Sequence, residues 1–305
     1  MSDASSPQPC PFCGSVRKRA GALPPDRLIR DGAPVDLLAC TGCGTCESIP
    51  GPPSAKPPEQ HYLPHTVPTG MKGWLTDRSQ DRKVSLLVPW AGQKGIVDLG
   101  CGAGGFLAAW RRARPRDSAL GLENDADAAA LCRSRGLDVL EYDLGGTLPA
   151  EAGGRSLYSL WHVLEHLDDP AGLLDSIGQI MDSDGHIVVA VPNAAGLERT
   201  VFRSRTIAWD PPRHRWHFTP EGVTALSRLA GLEVRDRFNL LSDDIYDAVT
   251  SLQWALYPRF WVDRHPLRSP ATTALALLGG IPLGLGLALV APWRGRASLG
   301  VVLGR

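Results

Sequence analysis

The stretch Ile96-Val97-Asp98-Leu99-Gly100-Cys101-Gly102-Ala103-Gly104-Gly105-Phe106 decides how the chain is read. Its first four residues are a short buried strand in character. The glycines that follow let the backbone turn sharply and approach a ligand with no Cβ in the way. Gly105 to Arg112 continues as a helix. Working outward, Ala119 to Glu123 reads as a second strand, and Asp125 to Arg135 as an alanine-rich helix stopped by Gly136. Asp138 to Leu144 is a third strand, Ser156 to Val163 a fourth, Ala171 to Met181 a helix, and His186 to Val191 a valine-rich fifth strand. Strands alternating with helices imply a parallel sheet covered on both faces. Ligands of such sheets bind beyond the carboxyl ends of the strands, near the switch in strand order.

Glu123 closes the second strand about 20 residues after the glycine loop, where a carboxylate can accept the ribose hydroxyls of a nucleoside. Gly100, Gly102 and Gly105 also satisfy the G-x-G-x-x-G pattern of nicotinamide dinucleotide sites. Asp98 argues against that reading. A carboxylate in the loop opposes a pyrophosphate, but it suits a cationic sulfonium ligand that carries an amino group.

Ile96 through Phe106 resembles the first motif of the class I S-adenosylmethionine-dependent methyltransferases. The resemblance implies a Rossmann-like α/β fold with a seven-stranded sheet. It also implies that Asp98, Gly100, Cys101, Gly102 and Gly104 surround the methionine part of the cofactor, that Glu123 holds the ribose, and that Asp143 meets the adenine amino group. Trp161 to Pro170, which contains His162, Glu165 and His166, resembles the H-x-L-E-H-(L/V)-x-D-P run of small-molecule methyltransferases of the ubiquinone-biosynthesis type. By that resemblance His162 is a cofactor neighbour and a catalytic candidate, and His166 a second candidate base, since a histidine can take a proton from a hydroxyl near neutral pH. Glu165 and His166 are also a conceivable divalent-metal pair. Trp209 to Pro220 is similar to a D-P-P-x-H-x-x-(H/Y)-F-(T/S)-P segment of the same relatives, a loop over the pocket. It adds His214 as a third catalytic candidate, ahead of a helix from Pro220 to Ala230 that Thr219 caps.

Ahead of this core lie five of the seven cysteines. Cys10-Pro11-Phe12-Cys13-Gly14 and Cys40-Thr41-Gly42-Cys43-Gly44 are two C-x-x-C-G knuckles, the pattern of a structural tetrahedral zinc site. Cys46 is a spare. Cys101 and Cys132 read as packing residues. The domain reading is therefore a zinc-binding module over 1–48, a proline-rich linker over 49–71 and a methyltransferase domain over 72–305, with an apolar insertion over 241–297. Ser298 to Leu303 resembles the last strand of the family's sheet, antiparallel to Leu232–Leu240. Ala271 to Trp293 carries no charge and is long enough to span a bilayer, yet Gly279-Gly280-Ile281-Pro282 interrupts it. Return of the chain to the sheet excludes a single crossing. It leaves two short helices in an interfacial hairpin, a hydrophobic lid or a dimer contact. Trp254, Trp261 and Trp293, with Arg259, Arg264, Arg268, Arg294 and Arg296, suit a membrane surface.

Equal numbers of basic and acidic residues, 32 of each, give no global pull toward nucleic acid, although Arg111 to Arg116 and Arg199 to Arg205 are local basic runs. The polar start of the chain, Met1 to Gln8, is unlike a signal peptide. The expectation is a cytoplasmic enzyme, peripheral on the inner face of the membrane through 271–293. It would transfer methyl groups from S-adenosylmethionine to a small-molecule, lipid-linked or saccharide acceptor, with structural Zn2+. A zinc-ribbon rRNA or tRNA methyltransferase, an NAD-dependent oxidoreductase and a non-catalytic adapter are the alternatives. Acceptor and oligomeric state are open.

Overall fold

The computed structural model describes residues 9–26, 33–49, 66–257 and 269–305. Most of the proline-rich stretch, Met1 to Gln8, and Arg259, Trp261, Arg264 and Arg268 lie outside the described residues, as does the side chain of Trp293. Two compact units divide the chain: Met1–Leu63 with Pro192–Leu226 and Asn239–Leu299, and Pro64–Val191 with Ser227–Phe238 and Gly300–Arg305.

The second unit carries a seven-stranded sheet. Its strands are β4 (Ile96–Leu99), β5 (Ala119–Glu123), β6 (Val139–Glu141), β7 (Leu157–Trp161), β8 (His186–Pro192), β10 (Glu233–Phe238) and β11 (Ser298–Gly304), in the order β10-β11-β8-β7-β4-β5-β6. Pairing is parallel from β8 through β6, and β10 runs antiparallel to β11, as the family resemblance implied. Strand order reverses beside β4, since β5 and β6 build outward on one side and β7 and β8 on the other. All four β4 residues and all five of β5 are buried, which is why these strands read as continuous runs rather than alternating ones.

Helices α1 (Gly70–Leu87), α2 (Gly105–Ala113), α3 (Ala126–Ser134), α4 (Pro170–Ile180) and α6 (Pro220–Leu229) follow the expected spacing. The starts of α3, α4 and α6 are written in short polar residues. Asp125 Oδ1 accepts the Ala128 N–H at 2.8 Å, Asp169 Oδ1 that of Gly172 at 2.9 Å, and Thr219 Oγ1 that of Gly222 at 3.0 Å. Leu87, Trp110, Leu157 and Val302 meet in the core of this unit with Ile96 and Cys132. The expected third strand is shorter than read: Asp143 stands past its end, in a turn where its Oδ1 accepts the Gly145 N–H at 3.0 Å.

In the first unit, β1 (Arg17–Leu23), β2 (Val35–Cys40) and β3 (Cys46–Ile49) form an antiparallel sheet, completed by β9 (Trp216–His217) from far along the chain. α5 (Leu197–Phe202), α7 (Leu241–Leu256) and α8 (Ser269–Val290) belong to the same unit. Within the insertion, the uncharged stretch from Ala271 is thus one helix that runs through Gly279, Gly280 and Pro282, not two short ones. The glycines serve close packing instead of a break. A Cβ on Gly280 would stand 2.6 Å from Val249 Cα, and one on Gly284 2.8 Å from the Asp244 carbonyl oxygen.

Candidate functional site

The carboxyl end of β4 delivers Asp98, almost fully buried, directly before a loop in which Gly100, Gly102 and Gly104 take φ of 67°, 53° and 73°. L-residues rarely adopt that region. Side chains are also barred: a Cβ on Gly100 would lie 2.7 Å from Val163 Cγ2, and one on Gly104 2.5 Å from Leu137 Cδ1. Gly104→Ala should therefore destabilise the fold by about 1–2 kcal/mol through backbone strain and crowding, read as a lower urea midpoint. An unchanged midpoint would mean the loop relaxes freely.

Three groups address Asp98. Ser159 Oγ, fully buried on β7, donates to its Oδ1 at 2.7 Å. Lys83, buried on α1, attracts it electrostatically, with its Nζ 4.5 Å from the Trp161 ring centroid. Glu123 repels it. Burial dominates and pushes the Asp98 carboxyl up to about 7, against the opposing pull of Ser159 and Lys83. Neither Ser159 nor Lys83 carried a signal in the sequence, one being a strand interior serine and the other a lone lysine in a weakly patterned helix.

The sign of the consequence is fixed. Between its ordinary 3.8 and about 7, folded Asp98 keeps a proton that the unfolded chain has released, so its contribution to stability falls as pH rises through that window. Replacing it by asparagine should remove that part of the slope in a series of thermal midpoints from pH 4 to pH 8. A slope equal to the parent's would assign the pH dependence elsewhere.

Glu123 Oε2 accepts the Gly102 N–H at 2.7 Å and its Oε1 the Asp125 N–H at 2.9 Å, so this carboxylate ties the loop to the start of α3. Each oxygen retains a second acceptor direction. Cys101 and Cys132 are buried; the Cys132 thiol donates to the Gly102 carbonyl at 3.1 Å and helps hold the loop's course. Asp143 is exposed in its turn.

At the end of β7, His162 has φ of 58°, and its backbone N–H donates to the Ala190 carbonyl at 2.8 Å. A left-handed histidine at a strand end is a strained arrangement of the sort that accumulates at functional sites. Its Nδ1 lies 3.5 Å from Oε1 of the fully buried Glu165. His166 closes the same short 3-10 turn, half-buried. The second unit therefore brings together Asp98, the glycine loop, Glu123 and Lys83 around β4, and His162, Glu165 and His166 after β7.

His214 belongs to the first unit. It is nearly buried, with Nδ1 2.9 Å from the Ala208 carbonyl. The segment that carries it is joined to the cysteine-bearing sheet. β9 pairs with β3, matching Cys46 to His217 and Glu47 to Trp216. His217 Nε2 lies 2.7 Å from Ser48 Oγ; desolvation in this buried position holds its pKa well below the usual histidine value. Arg213 makes a two-pronged ion pair with Asp210, at 2.9 Å and 2.5 Å, and reaches Asp26 at 2.8 Å, all three buried. Arg213→Ala should cost about 3–5 kcal/mol, because two carboxylates then stay buried without their cation. A loss below about 1 kcal/mol in urea unfolding would show that water replaces it.

The cysteine knuckles converge. Cys10 Sγ is 3.8 Å from Cys43 Sγ, Cys13 Sγ is 3.4 Å from Cys40 Sγ, and the four sulfurs all lie within 4.8 Å of one another. Tetrahedral zinc with Zn–S of about 2.3 Å sets its sulfurs about 3.8 Å apart, so the donor set fits the ion. Gly14 and Gly44, each after the second cysteine of a knuckle, take φ of 73° and 72°, and Cys40 Sγ accepts the Gly42 and Cys43 N–H groups at 3.3 and 3.4 Å. Cys46 stands outside this cluster, its thiol turned to the Gly44 carbonyl.

A family model described as a methyltransferase domain matches residues 76–236. The chain belongs to the S-adenosylmethionine-dependent methyltransferase family. Among solved structures, the fold of this methyltransferase is similar to the cyclopropane synthase MmaA2 from Mycobacterium tuberculosis (TM-score 0.50, 15% identity, 73% of this chain and 83% of that one). It is also similar to a putative sarcosine dimethylglycine methyltransferase from Galdieria sulphuraria (TM-score 0.50, 13% identity, 76% and 85%). In sequence it is 29% identical over 147 residues to an uncharacterized 37.1 kDa protein in transposon TN4556 of Streptomyces fradiae. That match covers 46% of this chain and 41% of the relative, so the methyltransferase spans less than half of the curated protein it resembles.

Proposed function

We propose that this chain transfers a methyl group from S-adenosylmethionine to a small-molecule, lipid-linked or saccharide acceptor. The observation that carries the reading is Asp98, buried beneath the left-handed glycines at the reversal point of the sheet. A raised, buried carboxyl is suited to a cation, because a bound ammonium and sulfonium offset the cost of ionising it. When bound, the cofactor supplies an electrophilic methyl on sulfur. Asp98 with Gly100, Cys101, Gly102 and Gly104 would hold its methionine part, Glu123 its ribose through the unused acceptor directions, and Asp143 its adenine edge. His162 would lie beside the cofactor. His166 and His214 are the candidates for accepting the acceptor's proton, and most of the acceleration would come from holding the nucleophile in line.

Cys10, Cys13, Cys40 and Cys43 would bind one structural zinc ion, their four thiolates filling its tetrahedral positions. Zinc held by thiolates suits the reducing cytoplasm, where we place the enzyme. Nucleic acid is the less favoured acceptor, since the chain has no net positive charge to meet phosphate. Calorimetry with S-adenosylhomocysteine and with NADH tests the reading. The first should bind, more tightly at pH 8 than at pH 6 because binding draws on ionised Asp98. Binding of NADH alone would overturn it.

A further inference from the structure

Helix α8 carries its side chains in an order opposite to that of a helix in water. Small residues face its neighbour. Ala276, Gly280 and Gly284 are buried, and the chain atoms nearest to Cβ positions on Gly284, Gly280 and Gly279 belong to Asp244, Val249 and Leu252 of α7, so the two helices run antiparallel with their backbones close. Gln253 Nε2 donates to Thr273 Oγ1 across the seam at 3.0 Å. Large apolar residues face away: Leu278 is 75% and Leu289 87% exposed, with Leu275, Leu277, Ile281 and Leu285 beside them.

At 100° per residue, the exposed positions from Ala271 to Val290 cover an arc of about 220°. Every one of them is apolar, and Ala271–Val290 is long and apolar enough to cross a membrane. The width of the arc decides what covers it. A second copy of the chain would mask a stripe of about 100°, and a protein interface is ringed by a polar rim. Among the described residues, the outward surface of α8 from Ala271 to Val290 lacks one. Close packing through small residues, a side-chain hydrogen bond between helices and large apolar groups outward are the features of helices whose solvent is lipid.

We propose that α8 is embedded lengthwise in one leaflet of a lipid bilayer, with α7 as its cover on the headgroup side. Spanning is excluded by connectivity and by charge. The segment leaves the sheet after β10 and returns at β11, and these strands pair with each other, so both ends lie on one side. α7, with Asp243, Asp244 and Asp247, cannot make the return crossing. Arg296 and Asp244 form an ion pair that anchors the end of the segment, with Arg296 Nε 2.9 Å from Asp244 Oδ2. This inference does not depend on the methyl-transfer reading.

The test is flotation of the full chain with preformed phosphatidylcholine vesicles, in parallel with light scattering of the free protein. The parent should float. The double variant Leu278→Glu, Leu289→Glu, whose sites are exposed, should keep the parent's circular dichroism and thermal midpoint while its partition falls about 100-fold. Gly280→Leu should do the reverse in kind, lowering the midpoint by forcing α8 off α7. Proteinase added outside the vesicles should spare at most α8 itself. Failure of the parent to float, or equal flotation of the glutamate variant, overturns the proposal. So does a dimer that the glutamates dissociate in the absence of vesicle binding, and a protected fragment containing residues 258–268 overturns the in-plane placement.

Discussion

Asp98→Asn should bind S-adenosylhomocysteine about 100-fold more weakly than the parent at pH 8, while the ligand-free variant is at least as stable. The two effects have one origin. In the ligand-free protein the carboxyl is buried under the loop, and the nearby Lys83 and the Ser159 hydroxyl only partly offset the lost hydration. Asparagine keeps the size and a hydrogen-bond acceptor for Ser159 but has no charge to desolvate. The cost that the parent meets in ionising Asp98 is recovered only when a cation arrives, and the variant forgoes that recovery. Calorimetry measures the first effect and urea unfolding the second. If affinity fell together with stability, the residue would be a structural brace. If affinity were unchanged, the cation would have to be held elsewhere.

The second large effect concerns the cysteine cluster. The purified chain should contain one zinc ion by elemental analysis, and Cys40→Ser should lose it along with the order of the β1–β2–β3 sheet. Structural zinc sites contribute on the order of 10 kcal/mol to the folding of small modules, far more than the few buried residues around Leu23, Val35 and Leu37 can replace. The damage should spread to residues 209–219. Thr219 Oγ1 donates to the Cys43 carbonyl at 2.5 Å, and Phe12, inside the first knuckle, packs edge-on against Trp216 with ring centroids 4.7 Å apart. Limited proteolysis should therefore cut Cys40→Ser both before residue 49 and near Arg213. Cys46→Ser, outside the sulfur cluster, should keep its zinc and resist cleavage. Equal behaviour of the two variants would mean that the thiols serve packing and not a metal.

How much of this was legible in the sequence follows from how local each signal is. The loop from Asp98 to Gly105 could be read outright, because left-handed backbone torsions demand glycine and a fully buried strand demands an unbroken apolar run. Three helix starts were equally local, those of α3, α4 and α6, each fixed by one capping side chain. Lys83 and Ser159 were invisible because their role is set by what they meet from a helix and from the next strand, Asp98 in both cases, and no spacing in the chain encodes that meeting. Gly279 and Gly280 misled for a related reason. Taken alone they break helices, whereas against α7 the missing Cβ atoms allow backbone contact that outweighs their poor propensity. Asp143 shows the usual weakness at element ends, with a strand that stops two residues before it.

The pairing of Cys46 with His217 joins residues 171 positions apart in a sheet whose other three strands end by Ile49. Contacts of such high order are the slow ones, since a long loop must close before they are rewarded. On the ribosome, the knuckles and three strands emerge before β9 and must wait while about 170 residues are added, which takes roughly 10–30 s at 5–20 residues per second. Over that interval β3 presents an unpaired edge, open to association with other chains. The cysteine module is thus made well before the strand that completes its sheet, and metal supply during synthesis would bear on yield as well as on final stability.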